Sequence, residues 1–153
     1  MRTKRIHQVI VVGLVAAVGA AGSTAAATGP SGVRASEAWQ GTIIIHSKGK
    51  LFGSAGIRGT FTLSVVRSRN GSRWRVIADR GTFVQRDLAR GLGPRIVRVL
   101  VGAKGTIRMR IWRFSWQITE GSRAYAGLRG RGTESSHLEL MNLSSMMKGT
   151  VWR

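Results

Sequence analysis

The sequence predicts an all-β protein of seven to nine short strands, a sandwich or an up-and-down barrel, with a single antiparallel barrel of about eight strands preferred, behind an N-terminal signal helix. Three observations predict it. Apolar residues after the first 37 positions recur with a period of two rather than 3.6, glycine or Asn-Gly interrupts the runs every eight to twelve residues, and no long helical pattern follows the leader. The 153 residues hold no cysteine, so an exported domain of this size has only packing and sheet hydrogen bonds to hold it. A closed barrel suits that constraint, because it leaves no sheet edge exposed.

The leader is residues 1–27. Arg2, Lys4 and Arg5 form a basic start, Val9 to Ala21 an apolar run, and Ser23 to Ala27 a small-residue stretch, the three parts of a secretory signal. Ala25 and Ala27 satisfy the A-x-A rule and place the cut after Ala27. The alternative is an uncleaved anchor, since Val9 to Ala27 is 19 residues without a charge. No cysteine follows the run, which excludes a lipid-modified N-terminal cysteine. The expected address is secreted or extracytoplasmic, and the leader is of bacterial type.

Residues 28–37, with Gly29, Pro30 and Gly32, read as a flexible lead-in, and 38–153 as the barrel domain. Trp39 to His46 is a β-branched run. Ile57 to Val66 alternates, with Ile57, Phe61, Leu63 and Val65 on one face. Asn70-Gly71 then makes a hairpin to Trp74–Ala78, and Trp74, like Trp116 further on, is expected to fill the core. Asp79-Arg80-Gly81 reads as a turn before Thr82–Arg86, and Ala89 to Pro94 breaks the pattern. Ile96–Val101 and Thr106–Phe114 form a second hairpin around Gly102 to Gly105. In the later strand Ile107, Met109 and Ile111 oppose Arg108, Arg110 and Trp112. A bend at Ser115 leads to Trp116–Thr119, and after the glycine-rich stretch Gly121–Gly132 two closing strands are expected, His137–Leu143 and Met147–Trp152.

Ile118 to Thr133 (ITEGSRAYAGLRGRGT), preceded by Trp116 and followed by GTVW at Gly149–Trp152, resembles the turn-rich stretch of allene oxide cyclase-like and dirigent-like β barrels, particularly their small secreted bacterial members of unassigned function. Glu120 and Arg123 stand where that family usually has glycine. The resemblance covers about 40 C-terminal residues. It implies a calycin-type barrel whose mouth can hold a small apolar ligand. In this stretch Gly121, Gly127, Gly130 and Gly132 permit tight turns and close approach, while Tyr125 and Leu128 have the spacing to pack onto the barrel end.

The chain carries 25 Lys+Arg against six Asp+Glu, a formal +19. Three of the basic residues go with the leader, so the remainder holds 22 basic residues, 18 of them arginine, and a net +16. Such a field attracts anionic polymers and lipid headgroups. Arg108, Arg110 and Trp112 place cations beside an aromatic on one strand face, as sheets that bind acidic polymers do. Glu134 and Glu139 are the acids expected at a barrel opening, and Glu134 with His137 completes the candidate ligand-binding set.

Little else points to chemistry. A metal site would have to be assembled from His46, His137 and Glu139, whose spacing does not require it, so no metal and no cofactor are expected. The six acids, Glu37, Asp79, Asp87, Glu120, Glu134 and Glu139, show no pairing pattern for glycosidase chemistry. There is no G-x-S-x-G elbow. Asn70-Gly71-Ser72 and Asn142-Leu143-Ser144 fit the glycosylation sequon, which a bacterial leader makes irrelevant. The leading expectation is a non-catalytic secreted binder of a small apolar ligand. The alternatives are a cyclase- or isomerase-like enzyme on a lipid-derived or phenolic substrate, and a basic module that binds anionic cell-envelope polymers. No specific nucleic acid is expected.

Overall fold

The computed structural model describes residues 38–87 and 95–153. The signal, its cleavage site after Ala27, the lead-in and the break at 89–94 lie outside the described residues.

Eight strands follow one another: β1 Gln40–Phe52, β2 Gly56–Arg69, β3 Ser72–Asp87, β4 Arg95–Gly102, β5 Gly105–Trp112, β6 Ser115–Gly121, β7 Arg129–Glu139 and β8 Asn142–Trp152. Each pairs antiparallel with the next, and β8 pairs with β1 from Gln40↔Trp152 to Lys50↔Asn142, closing an all-β, eight-stranded antiparallel barrel. Among the described residues there is no α-helix, only two 3-10 turns. Alternation sorts each strand into two faces. In β5 Ile107, Met109 and Ile111 are buried while Arg108, Arg110 and Trp112 are exposed. Ile43 and Ile45 of β1, Phe61 of β2 and Phe83 of β3 fill the middle of the same core, as expected for a barrel just wide enough for side chains. Apolar inside and polar outside is the reverse of a barrel that spans a membrane.

The strand reading holds where alternation is clean, and Asn70-Gly71 makes its hairpin with φ of 48° and 79°. Three expectations are corrected. Asp79-Arg80-Gly81 is no turn: β3 runs unbroken from Ser72 to Asp87. Gly81 is needed there because a Cβ would lie 2.0 Å from the Val101 carbonyl oxygen. Trp74, expected in the core beside Trp116, is 49% exposed. A bulge at Val65/Val66 shifts the β2–β3 register, and β4 reaches only as far as Gly81, so this end of the hairpin stands clear of the interior. His137–Leu143 is not a strand but the end of β7, a two-residue turn at Leu140-Met141 and the start of β8.

One barrel end is closed by the glycine-rich stretch. Gly121 ends β6, a 3-10 turn spans Arg123–Tyr125, Gly127 turns with φ +74°, and Gly130 and Gly132 lie within β7. Tyr125 and Leu128 are buried against the core. The Tyr125 hydroxyl donates to Asp79 Oδ2 at 2.8 Å, and the backbone N–H groups of Lys104 and Arg80 donate to the same carboxylate at 3.0 and 2.8 Å. Asp79 therefore ties β3 to the β4–β5 turn and the 3-10 turn. Burial pushes its pKa up, but these hydrogen bonds outweigh burial and hold it below the usual carboxylate value.

Candidate functional site

On the outer face of β5–β8 the pleat aligns side chains across strands. Arg110 is opposite Gln117, Gln117 opposite Arg131, and Arg131 opposite Thr150. One row along, Arg95 is opposite Trp112, and Thr133 is opposite Lys148. These residues line a groove of about 1070 Å³. Beneath it, on the inward side of the sheet, Gly132 and Gly149 are paired with each other. A Cβ on either would lie 2.6 or 2.5 Å from the ring of Trp116, which packs against both and donates its indole N–H to the Thr133 carbonyl at 2.9 Å. Arg95 lies over the Trp112 ring at 5.9 Å, a cation–π distance. Four cations and an exposed aromatic thus line one groove, and none of the described lining residues is a carboxylate.

A second polar group sits inside the barrel. Arg98 is 1% exposed, on the inward side of β4 with Leu100. Its Nη2 donates to Glu134 Oε1 at 2.7 Å and its Nε to Gln85 Oε1 at 2.8 Å, with a second, shorter contact from Nη2 to the same Gln85 oxygen. Nη1 reaches Ser145 Oγ at 3.2 Å and Met147 Sδ at 3.1 Å, and the guanidinium lies 5.3 Å from the Phe83 ring centroid. Burial lowers the Arg98 pKa, and the Glu134 carboxylate offsets part of that. Ser47, paired in register with Ser145, has a buried hydroxyl without a partner.

The five residues singled out in the sequence do not form one site. Arg110 and Trp112 share the groove. Arg108 is on the same face of β5, outside the groove lining. Glu134 faces the interior on Arg98, and His137 is exposed near the β7–β8 turn with Glu139 at 3.4 Å. The sequence reading missed Arg98, Arg131 and Lys148. Arg98 carried a signal, since it shares the parity of Ile96 and Leu100 in an apolar run. Arg131 and Lys148 carried none, because only strand register places them beside Arg110.

Among the described residues there is no cluster of three or more His, Asp and Glu that would hold a metal ion, and no helix long and apolar enough to cross a membrane. The chain matches no family model, no curated protein and no solved structure.

Proposed function

We propose that the chain is an exported β-barrel module that binds a linear polyanion of the cell envelope along the outer face of β5–β8. The observation that carries the reading is the groove itself: Arg95, Arg110, Arg131 and Lys148 line it together with Trp112, without a carboxylate among the described lining. Guanidinium groups suit phosphate and carboxylate oxygens through bidentate hydrogen bonds, and an open groove admits a chain passing through, where a closed pocket would admit only an end. The indole beside the cations offers an apolar platform for a sugar or polyol unit.

The test is titration of the mature protein with a polyol-phosphate chain, followed by tryptophan fluorescence over a range of salt. Each phosphate contact adds about one to the slope of log K against log salt. Arg110→Ser with Arg131→Ser is expected to lower that slope by about two. Arg73→Ser with Arg75→Ser removes the same charge from the β2–β3 hairpin and is expected to leave it nearly unchanged. Equal losses in the two variants would reduce the interaction to net charge and refute the groove.

A second reading follows the allene oxide cyclase-like resemblance and places a small apolar ligand, or the substrate of a cyclase-like enzyme, inside the barrel. It is favoured by the unpartnered Ser47 hydroxyl beside Arg98, Glu134 and Ser145, where a polar group of such a ligand would find donors and acceptors. Native mass spectrometry of protein from the culture medium distinguishes the two readings: a stoichiometric small-molecule adduct supports the interior and a bare polypeptide mass counts against it.

A further inference from the structure

The turn between β7 and β8 has unexpected residues for its geometry. Leu140 and Met141 both have positive φ, 43° and 71°. A two-residue hairpin turn of this kind ordinarily takes Asn-Gly or another small polar pair. Here both positions are large and apolar, 88% and 60% exposed, with Leu138 at 57% just before them. Local backbone preference therefore does not explain the choice, and neither does the barrel's own core. Exposed, closely spaced apolar side chains of this kind mark a contact surface.

Two further features define the contact. First, the turn's carbonyl groups are already satisfied: Met141 O accepts from the Leu51 N–H at 2.8 Å, and Leu140 O accepts from Asn142 Nδ2 at 3.3 Å. Moving this turn out of water leaves neither carbonyl without a partner, which removes the chief obstacle to placing irregular backbone in an apolar medium. Second, a hollow of about 600 Å³ borders the turn, lined by Lys48, Lys50, Arg58, His137, Glu139 and Leu140. Arg58 is stacked over the Phe52 ring at 4.2 Å. Three cations against one carboxylate favour an anion there, and Glu139 lies 3.4 Å from His137.

We propose that the Leu138–Met141 tip inserts into the interface of an anionic phospholipid bilayer, with a headgroup phosphate seated in the hollow among Lys48, Lys50 and Arg58. Apolar anchors rimmed by cations are the arrangement that binds anionic membrane surfaces, because apolar burial and headgroup attraction add. This contact uses none of the groove residues and stands independently of polyanion binding.

The experiment is flotation of the mature protein with vesicles of phosphatidylcholine, with and without phosphatidylglycerol, at low salt and at about 1 M NaCl, where the screening length is about 3 Å. Wild type is expected to float with the anionic vesicles and to retain measurable binding at high salt. Leu140→Asn with Met141→Gly installs a preferred hairpin pair, so the barrel keeps its fold by circular dichroism. Its high-salt binding is expected to fall by about tenfold or more. Lys48→Ser with Lys50→Ser is expected to weaken binding at low salt, and Arg110→Ser with Arg131→Ser to preserve high-salt retention. Equal flotation of the turn variant and wild type at both salt levels would overturn the proposal. So would sedimentation showing that the turn variant loses self-association while its flotation is unchanged, since a second copy would then be what covers the tip.

Discussion

Replacing Glu134 by glutamine is expected to destabilise the barrel far more than replacing Glu134 and Arg98 together. In wild type the Arg98 guanidinium is nearly sealed from water, and its one ionic partner among the described residues is the Glu134 carboxylate at 2.7 Å. The glutamine side chain would keep the shape and a hydrogen-bonding oxygen but leave the cation with only Gln85, Ser145, Met147 and the Phe83 ring as its other neighbours. Removing one member of a buried pair costs about 3–5 kcal/mol, against a whole-domain stability of about 5–15 kcal/mol. In thermal terms the loss is on the order of 10–20 °C for a domain of this size. Arg98→Met with Glu134→Gln removes both charges, leaves the introduced amide able to bond to Gln85, and is expected to lie within about 2 kcal/mol of wild type.

Urea unfolding at neutral pH, followed by tryptophan emission, checks this, with equal m-values required for the comparison. A loss below about 1 kcal/mol in Glu134→Gln would show that the guanidinium is not desolvated as the geometry implies. A double variant as unstable as the single would show that the cost comes from packing rather than from the orphaned charge. If the double variant is as stable as wild type, the pair is not retained for stability. The interior Arg98–Glu134–Ser145 group then gains weight as a place where a ligand is met, which the native mass measurement tests directly.

At the closed end of the barrel, burial and the Asp79 hydrogen bond raise the Tyr125 pKa, so its contribution to stability is present below about pH 10 and lost as pH rises above it. Tyr125→Phe is expected to remove that alkaline loss in thermal melts. Asp79 is shifted the other way: its contribution is present above about pH 4 and lost as pH falls through the lowered folded-state value, and Asp79→Asn is expected to flatten this acid limb. Gly71→Ala, where φ is +79° and nothing lies within 4 Å, is expected to cost about 1–2 kcal/mol from backbone strain alone. Gly132→Ala, whose Cβ would meet the Lys148 carbonyl at 2.0 Å and the Trp116 ring at 2.6 Å, is expected to cost more and to shift the Trp116 emission.

How much of this could be read from the sequence follows from which forces act locally. Period-two alternation gave the faces of β2 and β5, and Asn70-Gly71 gave its hairpin, because both are properties of neighbouring residues. Asp79-Arg80-Gly81 has turn composition, but its glycine serves close strand approach and its carboxylate bonds to Tyr125, 46 residues away. The β7–β8 turn was missed for the opposite reason, since Leu140-Met141 has turn geometry without turn composition. Arg110 and Trp112 were legible as neighbours on one strand. Their partners Arg131 and Lys148 come from other strands, and only the closed register brings the four cations of the groove together.

The tip closes the β7–β8 hairpin, and the same hairpin supplies one side of the groove. β6 pairs with β7 only as far as Ser115↔Thr133, so residues 135–139 of β7 continue past the last β6 pair, beside β8 alone. Thr133 lines the groove, and Leu140 is seven positions further on, about 20 Å at the rise of a strand. A bilayer contact at the tip would therefore hold the groove within about that distance of the membrane surface, where polymers anchored in the same surface are concentrated. Once either contact forms, the other becomes intramolecular, and its effective concentration is set by this rigid spacing rather than by diffusion. Vesicles that carry a lipid-anchored polyol-phosphate chain should then bind the wild type more tightly than bare anionic vesicles and free polymer predict when taken separately. That excess should vanish in Leu140→Asn with Met141→Gly and equally in Arg110→Ser with Arg131→Ser. Persistence of the excess in either variant would mean that the two surfaces do not act on one target.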